Sequence, residues 1–204
     1  MTANIAHEIR NPLSAINHAA ELLEEEQLES NTDPRLVRII CDNTRRLNKI
    51  VQDVLQLNRR NIAKPDLIDL HEFMRKFLEE FCHAERMDRN VFVLRSLNHH
   101  WVSFDRDHLN QVLWNLCRNA WRHCCKQTDS VRIELSLAAN ENNVYLDIVD
   151  DGPGIDPQQV KQIFEPFFTT AAGGTGLGLY IARELCETNQ ASLDYIEGSS
   201  GGHF

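Results

Sequence analysis

The stretch from Asn4 to Ile16, NIAHEIRNPLSAI, sets a histidine, His7, beside a carboxylate, Glu8, with Asn11 one helical turn further on and Pro12 directly after it. A neutral imidazole is a nucleophile, and Glu8 offers a hydrogen-bond partner and base next to it, so the pair has the parts needed to take up an electrophilic group. Three other places carry chemistry. Asn115, Asn119, Arg122 and Lys126 fall within about 60° of one another on a helix. Amide oxygens are neutral, hard ligands suited to Mg²⁺ that is shared with phosphates. Asp150 to Gly154, DDGPG, is a turn whose glycines allow close backbone approach, and a carboxylate fixed at its start can accept from an exocyclic amine. Gly173 to Gly178, GGTGLG, opens a helix and so turns backbone N–H groups towards an incoming phosphate. It is neither GxGxxG after a strand nor GxxxxGK(S/T), so dinucleotide-binding and P-loop readings fail. Taken singly, each place has a plain alternative: a surface histidine, asparagines solvating a helix, an ordinary Asp/Gly/Pro turn.

The elements that must position these groups are legible as periodicities. Ile5, Ile9, Pro12, Ile16, Ala19 and Leu23 step by four and three, and so do Leu36, Ile40, Asn43, Leu47, Ile50, Val54 and Leu57 after the polar run Glu24 to Asp33. Two helices of about 25 residues, joined by a short loop, form an antiparallel hairpin. Two helices alone bury little, so seams this regular predict dimerisation into a four-helix bundle. At 100° per residue His7 lies about 180° from the Ile5/Ile9/Ile16 stripe and faces water, with Asn11 on the same face. Pro12 removes one backbone donor and crowds the Glu8 carbonyl, which bends or loosens the helix beside His7. His18 shares the face but lies roughly 16 Å away, too far to share a metal, and reads as surface.

Beyond residue 66 the pattern is mixed: a helix over 71–84, a strand over 91–97, a long helix over 107–126, paired strands over 131–138 and 144–150 around the turn ANENN, a helix to about Cys186 and a last strand near 192–196. Strands arriving in adjacent pairs predict an α/β sandwich. Trp114 and Trp121 fall off the apolar face of the long helix and read as rim residues, and FEPFF at 164–168 reads equally as core aromatics or as a docking element for the histidine-bearing helix.

A net charge of −9 argues against nucleic acid as a partner, so any phosphate must be held by local donors or a metal. Six cysteines without a CxxC pair argue against zinc and disulfides and fit a reducing cytoplasm. No run is long and apolar enough to span a bilayer, and the first residues carry no signal-peptide pattern. A helix starting almost at Met1 and a strand starting at Gly201-Gly202-His203-Phe204 lead us to expect an excised fragment, truncated at its C-terminus.

HEIRNP (7–12) resembles the H box of sensor histidine kinases. NLCRNA (115–120), DDGPGI (150–155), FEPFFT (164–169) and GTGLGL (174–179) resemble that family's N, G1, F and G2 boxes, in the right order. The resemblance implies an α+β fold, with a dimerising hairpin at 1–60, a linker at 61–66 and an ATP-binding α/β sandwich of the histidine kinase/Hsp90-like type at 67–204. It implies that His7 takes the γ-phosphoryl group of ATP with Glu8 as base or orienter, that Asn11 serves dephosphorylation of the partner, and that the phosphoryl group passes to an aspartate of a response-regulator receiver domain. For ATP and Mg²⁺ it implies a site made of Asn115, Asn119, Arg122, His123, Asp150, Gly152, Gly154, Ile155, Phe164, Thr169, Thr170, Gly174, Thr175, Gly176, Leu177 and Gly178. Within it Asn119 is the Mg²⁺ ligand supported by Asn115, and Asp150 reads the adenine amino group. The segment FFTTAAGG would be the lid, and Ala171 to Gly173 depart from relatives with lysine or an acidic residue there. A homodimer and a sensor anchored to a membrane through a segment upstream of this chain complete the expectation. Two rivals share the nucleotide fold or its parts: an ATPase that activates water, and a scaffold that binds nucleotide without turnover.

Overall fold

The computed structural model describes residues 2–26, 34–58, 63–96, 98–137, 143–171, 174–198 and 201–204. By contacts the chain separates into two units, residues 1–60 with 164–178, and residues 61–163 with 179–204.

The first unit holds helices α1 (Thr2–Glu26) and α2 (Pro34–Asn58). They pack along each other, and the seven residues between them are too few to span a 25-residue helix, so they run antiparallel as a hairpin. Pro34 opens α2 where its missing N–H costs nothing. Pro12, Ala19, Leu36 and Ile50 from the anticipated seams are buried, with Ile50 fully so. Pro12 lies inside an α1 that is helical on both sides of it. Leu13, Val37 and Val51 remain exposed.

The second unit opens with β1 (Asp66–Asp69), α3 (Leu70–Glu85) and a 3-10 turn (Arg89–Val91). β2 (Phe92–Arg95), β3 (Trp101–Phe104), α4 (Arg106–His123), β4 (Val131–Leu137), β5 (Val144–Asp150) and α5 (Gly178–Thr188), which begins at the last residue of the first unit, complete the described elements. Leu70, Met74, Phe77, Leu78 and Phe81 make α3 a one-faced helix, and Asp69 caps it by accepting from the His71 and Glu72 N–H groups. Arg86, in the left-handed region at φ 54°, ends it. β4 is central in a three-stranded sheet, parallel to β2 and antiparallel to β5. Its alternate residues Val131, Ile133 and Leu135 are buried, which is the inward half of a period-2 strand.

One pairing is additional to the sequence reading, and three expectations are corrected here. β1 and β3 pair antiparallel as a separate two-stranded sheet, from Asp66 opposite Phe104 to Asp69 opposite Trp101. These four-residue strands are too short to show a period; their pairing and the burial of Ile68 and Phe104 stabilise them. The strand expected near 192–196 is not formed. Gly198, at φ 90°, turns the chain back, and residues 202–204 pair with β5 instead: Asp150 N–H donates to the Gly202 carbonyl, and Ile148 and Phe204 exchange both bonds. Trp114, expected at the rim, is half-buried and packs edge-on into an aromatic cluster centred on Phe81, its ring 4.8 Å from Phe81 and 6.2 Å from Phe77, with Phe92 also against Phe81. Helix α4 stops at His123, so Lys126 leaves the strip shared with Asn119; it sits at φ 60° with its ammonium 5.0 Å over the Trp121 ring. The anticipated turn ANENN falls largely outside the described residues.

All six cysteines are free thiols, and Cys82, Cys117, Cys124 and Cys186 are buried as apolar fill. Among the described residues no helix is long and apolar enough to cross a membrane.

Candidate functional site

Helix α4 is anchored at its start. Asp105 Oδ1 accepts from the Asp107 and His108 N–H groups, its Oδ2 accepts from Lys64 N–H at 2.9 Å, and its own N–H donates to Asn189 Oδ1 at 2.8 Å. Leu109, Val112, Leu113, Leu116, Cys117 and Ala120 bury the inner face. That leaves Asn115 and Asn119 half-buried on the flank and Arg122 and His123 exposed at the C-terminal end. Neither asparagine amide hydrogen-bonds another described residue, so both retain their carbonyl oxygens for a ligand.

The end of α4 meets the end of β5. Asp150 is buried at 7% exposure, and its Oδ1 accepts from Gly152 N–H at 2.9 Å and Gly202 N–H at 3.1 Å. Burial raises its pKa above the usual carboxylate range, and the two N–H bonds and the nearby His123 pull the other way. Asp151 has the opposite task. Although desolvation pushes its pKa up, the Cys125 N–H at 2.7 Å and the Ser130 hydroxyl at 2.8 Å hold it below the usual range. Asp151 therefore ties the loop after α4 to the start of β4. Glycine is required at 152, because a Cβ there would lie 2.5 Å from the His123 carbonyl oxygen and 2.7 Å from Asp150 Oδ1. Gly154 adopts φ 70°, and the Ile155 N–H donates to the Tyr195 hydroxyl at 3.2 Å.

Gly201 and Gly202 belong to this corner and were not anticipated. A Cβ on Gly201 would collide with the Asp150 carbonyl and one on Gly202 with the Asp150 carboxylate. Their signal was the Gly-Gly pair itself, which marks close backbone approach without saying to what.

In the other unit, residues 164–178 form a loop closed on itself. Phe167, at φ 71°, donates its N–H to the Gly176 carbonyl at 2.9 Å, and Gly176, at φ 67°, lies so close under the Phe167 backbone that no side chain fits. Thr169 Oγ1 accepts from Ala171 N–H at 3.1 Å, and a Cβ on Gly174 would lie 2.5 Å from the same oxygen. Thr169 and Thr170 are exposed, whereas Thr175 and Leu177 are buried. The Thr175 hydroxyl donates to Asp53 Oδ2 of α2 at 2.7 Å. Gly178 begins α5. Phe164, Phe167 and Phe168 are each half-buried, so this segment is not a core cluster. Ala172 and Gly173 of the anticipated lid lie outside the described residues, as do the side chains of His7 and Glu8 on α1; Asn11 is exposed.

Residues 1–61 match the family model described as His Kinase A (phospho-acceptor) domain, and residues 104–203 match that described as Histidine kinase-, DNA gyrase B-, and HSP90-like ATPase. The Sensor protein kinase PilS of Pseudomonas aeruginosa is 43% identical over 204 residues, covering 99% of this chain and 38% of that protein. The Sensor histidine kinase ZraS of Salmonella typhimurium is 30% identical over 202 residues, covering 97% and 43%. The chain thus spans about two fifths of the length of the curated relatives it matches. Among solved structures, the histidine kinase ThkA in complex with the response regulator protein TrrA superposes with a TM-score of 0.71 at 27% identity, covering 100% of this chain and 59% of that one. Five boxes in order, a hairpin followed by a sandwich, and matches to both domain models converge: the chain belongs to the sensor histidine kinases and carries their phospho-acceptor and ATP-binding domains.

Proposed function

We propose that the chain transfers the γ-phosphoryl group of ATP to His7 and from there to an aspartate of a response-regulator receiver domain. The His7 imidazole nitrogen forms the new P–N bond, the bond from the γ-phosphorus to the β,γ-bridging oxygen breaks, ADP leaves, and Glu8 accepts the imidazole proton or orients the ring. The single observation that carries the nucleotide half is Asp150, a buried carboxylate whose two N–H partners leave acceptor capacity for the adenine amino group. Gly152, Gly154 and Ile155 line that end, with Arg122 and His123 supplying positive charge or donors beside it. The donor set fits Mg²⁺: Asn119 would hold it and Asn115 would support it, through amide oxygens that no other described residue takes. When bound, Mg²⁺ neutralises charge on the transferring phosphoryl group. Gly174 to Gly178 would offer N–H groups to the phosphates, with Phe164, Thr169 and Thr170 on the lid.

Dimerisation of the hairpin is supported by Leu13, Val37 and Val51, apolar residues that the monomer leaves exposed. Asn11, exposed one turn beyond His7, would orient a water for dephosphorylation of the regulator. The linker at 61–66 would supply the hinge between the two domains, with Lys64 N–H bonded to Asp105 Oδ2. ThkA, solved with its response regulator, supports the partner class. The sensor names of the curated relatives support reading the chain as the cytoplasmic part of a membrane-anchored sensor.

Incubation with γ-labelled ATP tests this reading. Labelled protein whose phosphate is acid-labile and base-stable, and which is lost in His7→Gln at unchanged nucleotide affinity, is the expected result. Free phosphate without labelled protein would make the chain a water-activating ATPase, and nucleotide binding without turnover would make it a scaffold.

A further inference from the structure

The bond between Thr175 and Asp53 has no place in the reading so far. Thr175 is 5% exposed, and its hydroxyl donates to Asp53 Oδ2 at 2.7 Å. A hydroxyl has one proton to donate. While Asp53 holds it, Thr175 can only accept, as it does from the Leu177 N–H at 3.5 Å. The rest of the loop is set by its own contacts: Gly176 under Phe167, Gly174 against Thr169, and Leu177 fully buried. Asp53 is fixed from the other side, because it follows the fully buried Ile50 by three residues on α2, so the helix cannot turn it away without disturbing the seam. This side-chain bond joins a preformed glycine loop to a helix of the hairpin.

The two acceptors available to Thr175 are both anionic. A phosphate oxygen of a bound nucleotide would take the Thr175 proton, and its charge would repel the Asp53 carboxylate at the same place. We propose that Asp53 is a latch on the nucleotide loop: it competes with the nucleotide phosphates for the Thr175 hydroxyl, so that docking of the loop on α2 opposes nucleotide binding. This rests on the reading that residues 174–178 receive the phosphates. Coupling of this kind is reciprocal, so nucleotide binding weakens the hold of α2 on the loop to the same degree. The hairpin that carries the phosphoacceptor thereby sets how readily the loop accepts nucleotide.

Calorimetric titration of the whole chain with Mg²⁺ and a β,γ-imido ATP analogue tests the latch. Asp53→Ala is expected to bind about threefold to tenfold more tightly than wild type, the range expected for removing one competing hydrogen bond. Asp53→Asn keeps an oxygen that can accept the Thr175 proton but loses the charge, and should fall between the two. In a Thr175→Val background, Asp53→Ala should bring no further gain. Asp53→Ala that binds as wild type does, or more weakly while retaining the wild-type thermal transition, overturns the latch and leaves the nucleotide reading standing. If Asp53→Ala unfolds, the near-isosteric Asp53→Asn decides alone, and affinity equal to or below wild type overturns the proposal. Absence of binding by the wild-type chain overturns the nucleotide reading and the latch with it.

Discussion

Asp150 and Thr175 are almost equally buried, at 7% and 5% exposure, yet what surrounds them differs in kind. Asp150 sits where β5, the end of α4 and residues 201–202 converge, three pieces of chain separated by tens of residues. Thr175 sits in a loop whose described backbone bonds include several within residues 167–177, and its hydroxyl reaches Asp53 on α2. The first region is built by the core and moves only if the core does. The second is shaped largely by local bonds, which would suit a segment that opens and closes. On the proposed function, rigid recognition of a base and an adjustable grip on phosphates would be divided between them.

Substituting the two constrained glycines tests this contrast most severely. Gly152→Ala forces a methyl group against the His123 carbonyl and the Asp150 carboxylate, both held by the core, and should cost about 1–3 kcal/mol in global unfolding by denaturant. Gly176→Ala is sterically as bad, since it meets the Phe167 backbone at φ 67°. Its strain can be relieved by the loop alone, however, so hydrogen exchange should rise within 164–178 while the global midpoint moves far less. Equal losses of global stability would erase the distinction.

Asp105→Ala removes the cap of α4 and the acceptor for Lys64, and should cost about 1 kcal/mol at neutral pH. Although desolvation opposes it, the N–H bonds from Lys64 and His108 hold the Asp105 pKa below its usual value. A depressed folded pKa contributes stability above the unfolded value of about 4, and that contribution is lost as pH falls through the folded pKa. Wild type and Asp105→Ala should therefore converge in acid-dependent melts below about pH 4.

Asp150→Asn has the opposite sign. Burial raises the Asp150 pKa, so its stability contribution is fully present below the unfolded value and is lost as pH rises through the raised folded value. The variant should gain on wild type over that rise in thermal melts, while adenine-nucleotide affinity drops about tenfold or more from loss of a charged acceptor. A variant that instead loses ground as pH rises would deny that burial dominates at Asp150.

The smallest change in stability belongs to Asn119→Ala, within about 0.5 kcal/mol, because the side chain lies off the buried face of α4. Mg²⁺-dependent nucleotide binding should nonetheless disappear; unchanged Mg²⁺ dependence in calorimetry would remove Asn119 from the site.

What the sequence determined by itself is whatever is encoded within a few residues of chain. The stripes of α1, α2 and α3 follow from side chains three and four apart, the β4–β5 hairpin from alternation, and the turn at 150–154 and the loop at 174–178 from glycines whose backbone freedom is a local property. Residues 7–12, 115–120, 150–155, 164–169 and 174–179 were legible for the same reason, as short strings. Only the tertiary structure decided which distant groups meet. DLID at 66–69 and WVSF at 101–104 become strands because each supplies the other's hydrogen bonds, and nothing inside either tetrapeptide says so. The roles of Trp114 against α3, of Gly202 on Asp150 and of Asp53 on Thr175 span 33, 52 and 122 positions, and pairings at that range are set by the packing of whole elements, which no local period reports.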